Sequence, residues 1–357
     1  MSTLQRLSSY AFRSSQLGLF RQLGEAKGLQ MTGIRQQPQV LDTLRQAARL
    51  ESLQYSNRLE SILVAGDDSA GNGCSPDRVR RLVHRESPPD TAAERQIAGY
   101  REALDLVIEP GEHLTLSGGL IRQLHQLLYG HTPHGGGRWR VTNKEIIERN
   151  NQGQKVGVLY RTLSPSAINE ALDELVARYH LGIQQHEEPL LLIAAVVLDF
   201  LCIHPFSDGN ARVAWLLMAM MLAHNGYQIA QLISLERVLA GRGSLYKSVL
   251  RASVKGWHQG QHDPMPWIDF FLTTLAQAYG ELDDKVEALQ RQGIYAPKSK
   301  LVRSAIEQSS RAFAIGDICL QIPTVSRELV KKVVQQMRSE GLLEPVGKGR
   351  GAQWQKR

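Results

Sequence analysis

Nine consecutive residues, His204-Pro205-Phe206-Ser207-Asp208-Gly209-Asn210-Ala211-Arg212, put an imidazole, a carboxylate, a glycine turn, an amide and a guanidinium into one short loop. His204 titrates near neutrality and can take a proton from a hydroxyl nucleophile. Asp208 can ligate Mg²⁺, which prefers one or two carboxylates together with substrate phosphate oxygens. Gly209 and Asn210 lead into an apolar run, and a helix starting there presents N–H groups and a positive dipole end to an anion. Arg212 adds a fork that suits phosphate oxygens. Base, metal carboxylate, anion cradle and cation together are what phosphoryl or nucleotidyl transfer to a hydroxyl requires. Taken singly, each has a structural explanation, a hydrogen-bonded core histidine or an Asp-Gly-Asn turn. Their contiguity is what points to chemistry.

Such a loop must be held by its surroundings. It lies between Leu190–Ile203 and Ala211–His224, two runs apolar on nearly every face, as helices at the centre of a bundle are. Upstream, Val40–Val64 has a helical pattern (Leu41, Leu44, Ala48, Leu53, Leu59, Leu63), and Glu94–Val107 and Ser117–Leu128 read as further helices. Gly66–Pro76 and Pro110-Gly111 are loop or turn. Strand formers Val141, Ile146, Ile147, Val156, Val158 and Tyr160 flank the turn-like Asn150-Asn151-Gln152-Gly153, which predicts a β-hairpin within about 138–163. A helix follows Ser164-Pro165-Ser166, and Ser234–Lys255 and Asp263–Leu289 complete a helical body. The expected division is an N-terminal helical region (1–92), a core (93–292) and, after a linker near Gly293–Ser299, a separate module (293–357).

His204–Arg212 resembles the signature of the Fic (Fido) family, His-x-Phe-x-Asp/Glu-Gly-Asn-Gly-Arg with a second Arg after two intervening residues. The resemblance implies a mainly α fold, a Fic-type helical bundle with a short β-hairpin flap. It implies transfer of AMP from ATP, with Mg²⁺ (or Mn²⁺), to a hydroxyl of a target protein or of the chain itself. Carried over, His204 is the base, Phe206 anchors the loop, Asp208 holds the metal, and Gly209, Asn210, Ala211 and Arg212 cradle the phosphates. Two residues depart from the pattern: Ala211 replaces the second glycine, and Trp215 stands where the second arginine is expected, which removes one charge-assisted phosphate contact. Gly137-Arg138-Trp139-Arg140 resembles the start of the family's flap, which would register a target strand, so Trp139, Arg140, Val158 and Tyr160 are expected at that docking site. Ser56-Asn57-Arg58-Leu59-Glu60-Ser61 resembles the family's inhibitory motif, with Ser56 and Glu60 on one helix face. The resemblance covers roughly Leu41–Leu289.

Past the linker, Lys300–Gln308 and Ala314–Leu320 read as short helices and Pro323–Gly341 as a third, with Val325, Leu329, Val333 and Met337 on one side and Arg327, Lys331, Lys332, Gln335 and Arg338 off it. Gly347-Lys348-Gly349-Arg350-Gly351 follows as a basic hairpin tip. This order fits a winged helix-turn-helix, with Thr324, Ser326, Arg327 and Lys331 toward the DNA major groove and Lys348 and Arg350 on the wing. A protein-binding winged helix is the other reading.

The chain of 357 residues is 42% hydrophobic and 22% charged, with a net charge of +7 that suits nucleotides or nucleic acid. Cys74, Cys202 and Cys319 are too scattered for a zinc site or a disulfide framework, which fits a reducing cytoplasm. The longest apolar run, Leu190–Ile203, contains Asp199 and is too short to span a bilayer, so no membrane partner is expected. Met1–Phe20 has arginines and serines but no acid; it reads as an amphipathic or frayed end, with a transit peptide as the weaker alternative. A C2 homodimer is the default for any self-association. The functional expectation is a protein adenylyltransferase restrained by the Glu60 helix. The alternative is a DNA-binding regulator whose degenerate core senses a nucleotide.

Overall fold

The computed structural model describes residues 2–33, 38–64, 74–108, 114–149, 154–291, 298–309, 312–322, 325–346 and 353–356. They form two compact units, Met1–Asp283 and Asp284–Arg357. The first holds both the N-terminal helical region and the loop at 204–212.

The centre of the first unit is α7 (Pro189–Ile203) and α8 (Asn210–His224), joined by that loop. Every residue from Leu192 to Ile203 and from Asn210 to Leu222 is buried, as their all-round apolar sequences demand. α1 is Ser14–Gly33 and α2 is Pro38–Val64. α4 (Ala92–Ile108), α5 (Gly118–Leu128) and α2 contact α8, while α6 (Ile168–Gln184) contacts α7. α3 (Pro76–Val83) falls at the end of the expected loop; its start was legible, since Ser75 Oγ accepts from the N–H of Arg78 at 3.3 Å and Pro76 takes the first helical position.

The hairpin is β1 (Glu145–Arg149) paired antiparallel with β2 (Lys155–Arg161), with Ile146 opposite Tyr160 and register shifts at 146/147 and 148/149. Residues 150–153 lie outside the described set. After α8 come α9 (Ile229–Leu232), α10 (Leu235–Ala240), α11 (Gly243–Val254) and α12 (Met265–Arg291). The helical stretch expected over Ser234–Lys255 is divided into α10 and α11, because Gly241 and Gly243 flank a break at Arg242, and glycine lowers the cost of leaving the helix.

The N-terminal segment closes the bundle, which corrects the frayed reading of Met1–Phe20. A 3-10 turn at Leu4–Ser9 buries Leu4 and Leu7. Its first amides meet the fully buried carboxylate of Asp199 on α7: Thr3 N donates to Oδ1 at 2.9 Å and Leu4 N to Oδ2 at 3.0 Å. Trp257 Nε1 donates to Oδ1 at 2.7 Å, and Thr3 Oγ1 is 2.8 Å from His262 Nε2. Burial pushes the Asp199 carboxyl up, and these donors pull it back. Removing the segment, as a transit peptide would be removed, strips the carboxylate of two donors. Among the described residues no helix is long and apolar enough to cross a membrane.

The second unit begins within α12 and continues as α13 (Lys298–Gln308), α14 (Ile315–Gln321), α15 (Arg327–Ser339) and an antiparallel pair, β3 (Leu343–Val346) and β4 (Gln353–Lys356). Phe313 and Trp354 exchange both backbone hydrogen bonds, adding a third strand position to the pair. Ser326 caps α15, its Oγ accepting from Leu329 N at 3.3 Å, so this hydroxyl is occupied in holding the helix start. Arg327 and Lys331 are exposed on α15. Thr324, Lys348 and Arg350 lie outside the described residues.

Deleting residues 2–9 leaves Asp199 short of donors in an apolar surround, at a cost on the order of 3–5 kcal/mol. The melting temperature of the deleted protein is expected to fall by at least about 6 °C. An unchanged melting temperature in differential scanning calorimetry would show that the clasp contributes nothing.

Candidate functional site

The loop begins where α7 is forced to stop. His204 takes the left-handed conformation (φ 52°, ψ 61°) with its N–H still bonded to Phe200 O at 2.9 Å, and Pro205 cannot extend the helix. For a residue with a Cβ that conformation costs roughly 1–2 kcal/mol, so something must over-determine it. Arg140, almost fully buried, does so. Its Nε donates to His204 O at 2.7 Å, its Nη2 to Ile203 O at 3.2 Å and to Leu163 O, and its Nη1 to Thr142 O at 2.8 Å. Its own N–H donates to Pro205 O at 2.9 Å. One guanidinium thereby ties the end of α7 to both flanks of the hairpin.

The loop closes on itself through Asn210. Phe206 N donates to Asn210 Oδ1 at 2.9 Å and Asn210 Nδ2 donates to Phe206 O at 2.9 Å, two bonds like those of a strand pair. Phe206 is fully buried, stacked on His125 (3.7 Å between centroids, 7° between planes) and tilted against Trp139 at 4.9 Å. The loop ends at Gly209 (φ 73°), where a Cβ would lie 2.9 Å from a Tyr129 ring carbon and 3.0 Å from Leu128 Cδ2, so glycine is required on both counts. Ala211 is already inside α8, where alanine is the better residue; the departure from Gly at this position costs nothing.

Around this frame the reactive groups fall into place. The His204 ring is shielded, and its pKa drops to about 3, first by burial, then by Lys144 and Arg140. It is a neutral imidazole across the physiological range. Tyr160 OH donates to Leu201 O at 2.8 Å and lies 3.4 Å from His204 Nδ1. With its proton committed to Leu201, the phenol acts as acceptor, which assigns the ring proton to Nδ1 and leaves Nε2 as the basic nitrogen.

Asp208 is half exposed. Its Oδ2 accepts from Tyr129 OH at 2.7 Å, and Arg212 Nη2 in turn donates to that phenol oxygen at 2.8 Å and stands 3.9 Å from Oδ2. Among the described residues no side chain caps α8, whose first internal bond is Val213 N to Gly209 O at 3.0 Å, and the positive end of its dipole lies at the loop, where it favours an anion. A cavity of about 610 Å³ opens beside Asp208, with Arg95, His125, Arg138 and Trp139 in its wall. Among the described residues no group of three or more His, Cys, Asp or Glu could enclose a metal. One half-exposed carboxylate at an anion site suits Mg²⁺ completed by phosphate and water, and does not suit a cage built of protein ligands.

Several side chains expected to touch substrate are engaged elsewhere. Asn210 spends its amide on Phe206. Arg212 is 1% exposed, stacked over the Tyr129 ring with Asn57 Oδ1 of α2 at 3.5 Å, so it orients Asp208 through Tyr129. Of the flap residues, Trp139 packs on Phe206 and donates to Asn169 Oδ1 at 2.7 Å, Arg140 clamps the loop and Tyr160 braces His204; Val158 is exposed. Trp215 lies in the core against Tyr246 (5.7 Å) and Trp267 (6.3 Å), its Nε1 buried with no hydrogen-bond partner among the described residues. Ser56 is buried, donating to Leu53 O at 3.0 Å; Glu60 is on α2, its side chain outside the described residues.

Three residues were missed. Lys144 donates to Ser207 O at the mouth of the site. Tyr129 links Arg212 to Asp208. His125 Nδ1 accepts from Gly137 N at 2.8 Å, which puts the ring proton on Nε2, facing Asp208 O at 3.2 Å. No spacing along the chain reveals them, because they reach the loop from α5 and the segment before β1.

Residues 115–222, from the lead into α5 to near the end of α8, match the family model described as "Fic/DOC family". The matched segment includes every loop residue above. Among solved structures it is similar to a Fic family protein from Desulfovibrio desulfuricans G20 (TM-score 0.62, 18% identity, 98% of this chain and 97% of that one). It is also similar to a Fic domain containing signaling protein from Bacteroides thetaiotaomicron VPI-5482 (TM-score 0.57, 19%, 74% and 97%). A third is Fic-1 (aa134–508) from C. elegans (TM-score 0.59, 17%, 78% and 74%). At these identities the likeness is one of fold.

His125 has its pKa lowered to about 4, chiefly by burial, against about 6.5 when unfolded. Its neutral form therefore contributes stability that is complete above pH 6.5 and is lost as pH falls toward 4. The stability advantage of wild type over His125→Gln is expected to shrink by up to about 3 kcal/mol across that window. Denaturant titrations at pH 7.5 and pH 4.5 that give the same difference would refute it.

Proposed function

We propose that this protein transfers a nucleoside monophosphate, AMP from ATP before others, to a hydroxyl side chain of a target protein or of itself. The observation that carries this reading is a shielded, neutral His204 held near the N-terminus of α8 and beside the accessible carboxylate of Asp208. The Nε2 lone pair takes the proton of the acceptor hydroxyl as its oxygen bonds to the α-phosphorus. The bond from that phosphorus to the bridging oxygen breaks, and pyrophosphate leaves with the electron pair. The end of α8 receives the charge on the phosphate, and Lys144 stands at the mouth as a further cation. Asp208 is the residue that would hold Mg²⁺ or Mn²⁺, which when bound offsets phosphate charge. Val158, exposed on β2, is available to an acceptor segment that adds along the hairpin.

The placement of α2 supports restraint of this site by the Glu60 helix. Asn57 of α2 reaches Arg212 and also donates to Ala93 O at 3.1 Å. Ser52 Oγ donates to the buried Glu236 Oε2 at 2.6 Å, Tyr100 OH to Oε1 at 2.6 Å, and Arg237 Nε to Glu51 Oε2 at 2.9 Å. Trp215 favours a second reading, because the position where the family pattern has a cation is filled by a core aromatic. On that reading the domain senses a nucleotide without transferring it, and the chain acts as a DNA-binding regulator.

Intact-mass and peptide mass spectrometry with ATP, GTP, CTP and UTP in turn separates the two. Adducts are expected with ATP, at least about 100-fold slower in His204→Ala, as loss of a general base requires. If neither wild type nor Glu60→Gly gives an adduct with any of the four, the transfer reading falls.

Glu60→Gly is expected to raise the rate of adduct formation severalfold over wild type in the same assay. A rate equal to wild type would remove the inhibitory role of α2.

A further inference from the structure

The charge of this protein is divided unevenly. Residues 284–357 hold 14 of the 42 Lys and Arg but only 7 of the 35 Asp and Glu, so the whole formal excess of +7 belongs to the second unit. Met1–Asp283 balances, with 28 of each sign. Placing the boundary at the end of α12 changes nothing, because residues 284–291 hold two of each. The larger unit is thus electrostatically neutral overall, and a unit of 74 residues carries a charge that no need of the nucleotide site explains.

The second unit directs part of that charge outward. Val330, Val333, Val334 and Met337 turn one side of α15 into a core with Val302, Ile306, Ile318, Phe313 and Trp354. The same packing leaves Arg327, Glu328, Lys331, Lys332, Gln335 and Arg338 exposed, four cations and one anion on a helix of 13 residues. Arg327, Lys331 and Gln335 follow at intervals of four, so they form one stripe along the helix. Lys331 meets Glu328 at 2.9 Å, an exposed pair worth little and readily exchanged for a phosphate. Ser326 fixes the start of the helix, and β3 and β4 pair beside it up to Val346 opposite Gln353.

We propose that Asp284–Arg357 is a winged helix-turn-helix that binds duplex DNA, with the Arg327–Lys331–Gln335 face of α15 in the major groove. A helix of this size fits that groove, which is about 12 Å wide. The lysines and arginines supply phosphate contacts, and Gln335, a side chain that pairs with adenine edges, lies among them. A protein partner is less well matched: an interface centre is depleted of lysine and enriched in apolar and aromatic groups, and this face has none. The inference is independent of the nucleotide chemistry.

Fluorescence anisotropy of the full chain with a labelled random-sequence 30-bp duplex tests it. Binding is expected to weaken steeply with salt, with a log–log slope of magnitude about 3 or more. Lys331→Glu/Lys332→Glu is expected to weaken binding by about tenfold or more and to flatten the slope by about 2. The charge-matched control Arg251→Glu/Lys255→Glu, at exposed positions in the last turn of α11 and just past its end in the neutral unit, is expected to stay within about twofold of wild type. Both variants change surface positions only, and unchanged melting temperatures confirm that they fold. Absence of binding, a salt-insensitive affinity, an equal loss in the control, or equal affinity for single-stranded RNA of the same length would each overturn the proposal.

Discussion

The guanidinium of Arg140 is the part on which the site depends. A polypeptide that leaves α7 at His204 and enters α8 at Asn210 must reverse within six residues while holding a β-branch-free but still Cβ-bearing residue in the left-handed region. The backbone carbonyls exposed by that turn need donors, and water cannot supply them in a buried loop. Arg140 supplies donors to four carbonyls, Thr142, Leu163, Ile203 and His204. A lysine could not do this, since an ammonium is a point charge without a planar fork. Because Thr142 and Leu163 bracket the hairpin, the same contact fixes where β1 and β2 stand relative to the histidine. The fold and the base are therefore positioned by one side chain.

Burial of that frame also decides the protonation of its histidines. His204 and His125 are both driven to the neutral form, the first to about 3 and the second to about 4, with desolvation the leading cause in each. Neutrality serves them differently. His125 uses one nitrogen as acceptor for Gly137 and the other as donor toward Asp208, so protonation would destroy the first bond. His204 keeps a basic nitrogen that no other group claims in the hydrogen bonds around Tyr160. An anionic nucleotide close by would raise its pKa from about 3, because opposite charge favours the protonated ring.

Much of this was legible in the sequence, and the limits have physical causes. Contiguity exposed the 204–212 loop, and all-round apolarity exposed α7 and α8. The hairpin was visible from its strand formers. What the sequence does not display is commitment. Asn210, Arg140, Arg212 and Trp139 have the chemistry to hold phosphate or peptide, yet each is engaged by backbone or by Tyr129 and Phe206, and only packing reveals which donors are taken. His125, Tyr129 and Lys144 were invisible for the complementary reason, since they join the loop across tertiary space. The break at Arg242 within the helical stretch Ser234–Lys255 follows from two glycines, Gly241 and Gly243, which apolar periodicity does not register.

Trp215 has a consequence for how α2 is held. An arginine at that position, as in the family pattern, would offer α2 a charge to pair with at the site itself. Here the position belongs to an aromatic core with Tyr246 and Trp267, and α2 is fastened by Ser52 on Glu236, a carboxylate that Tyr100 of α4 also holds, and by Glu51 on Arg237. Glu236 is almost fully buried, so these bonds form in a weakly screening surround, where hydrogen bonds to a carboxylate are strong and their loss is costly. At the other end of this attachment, Arg212 Nη1 donates to Asn57 Oδ1 at 3.5 Å. Substitutions at Glu236 therefore act on the position of α2, whereas substitutions at Asn57 act on Arg212, through it on Tyr129 and Asp208, and on the contact with Ala93.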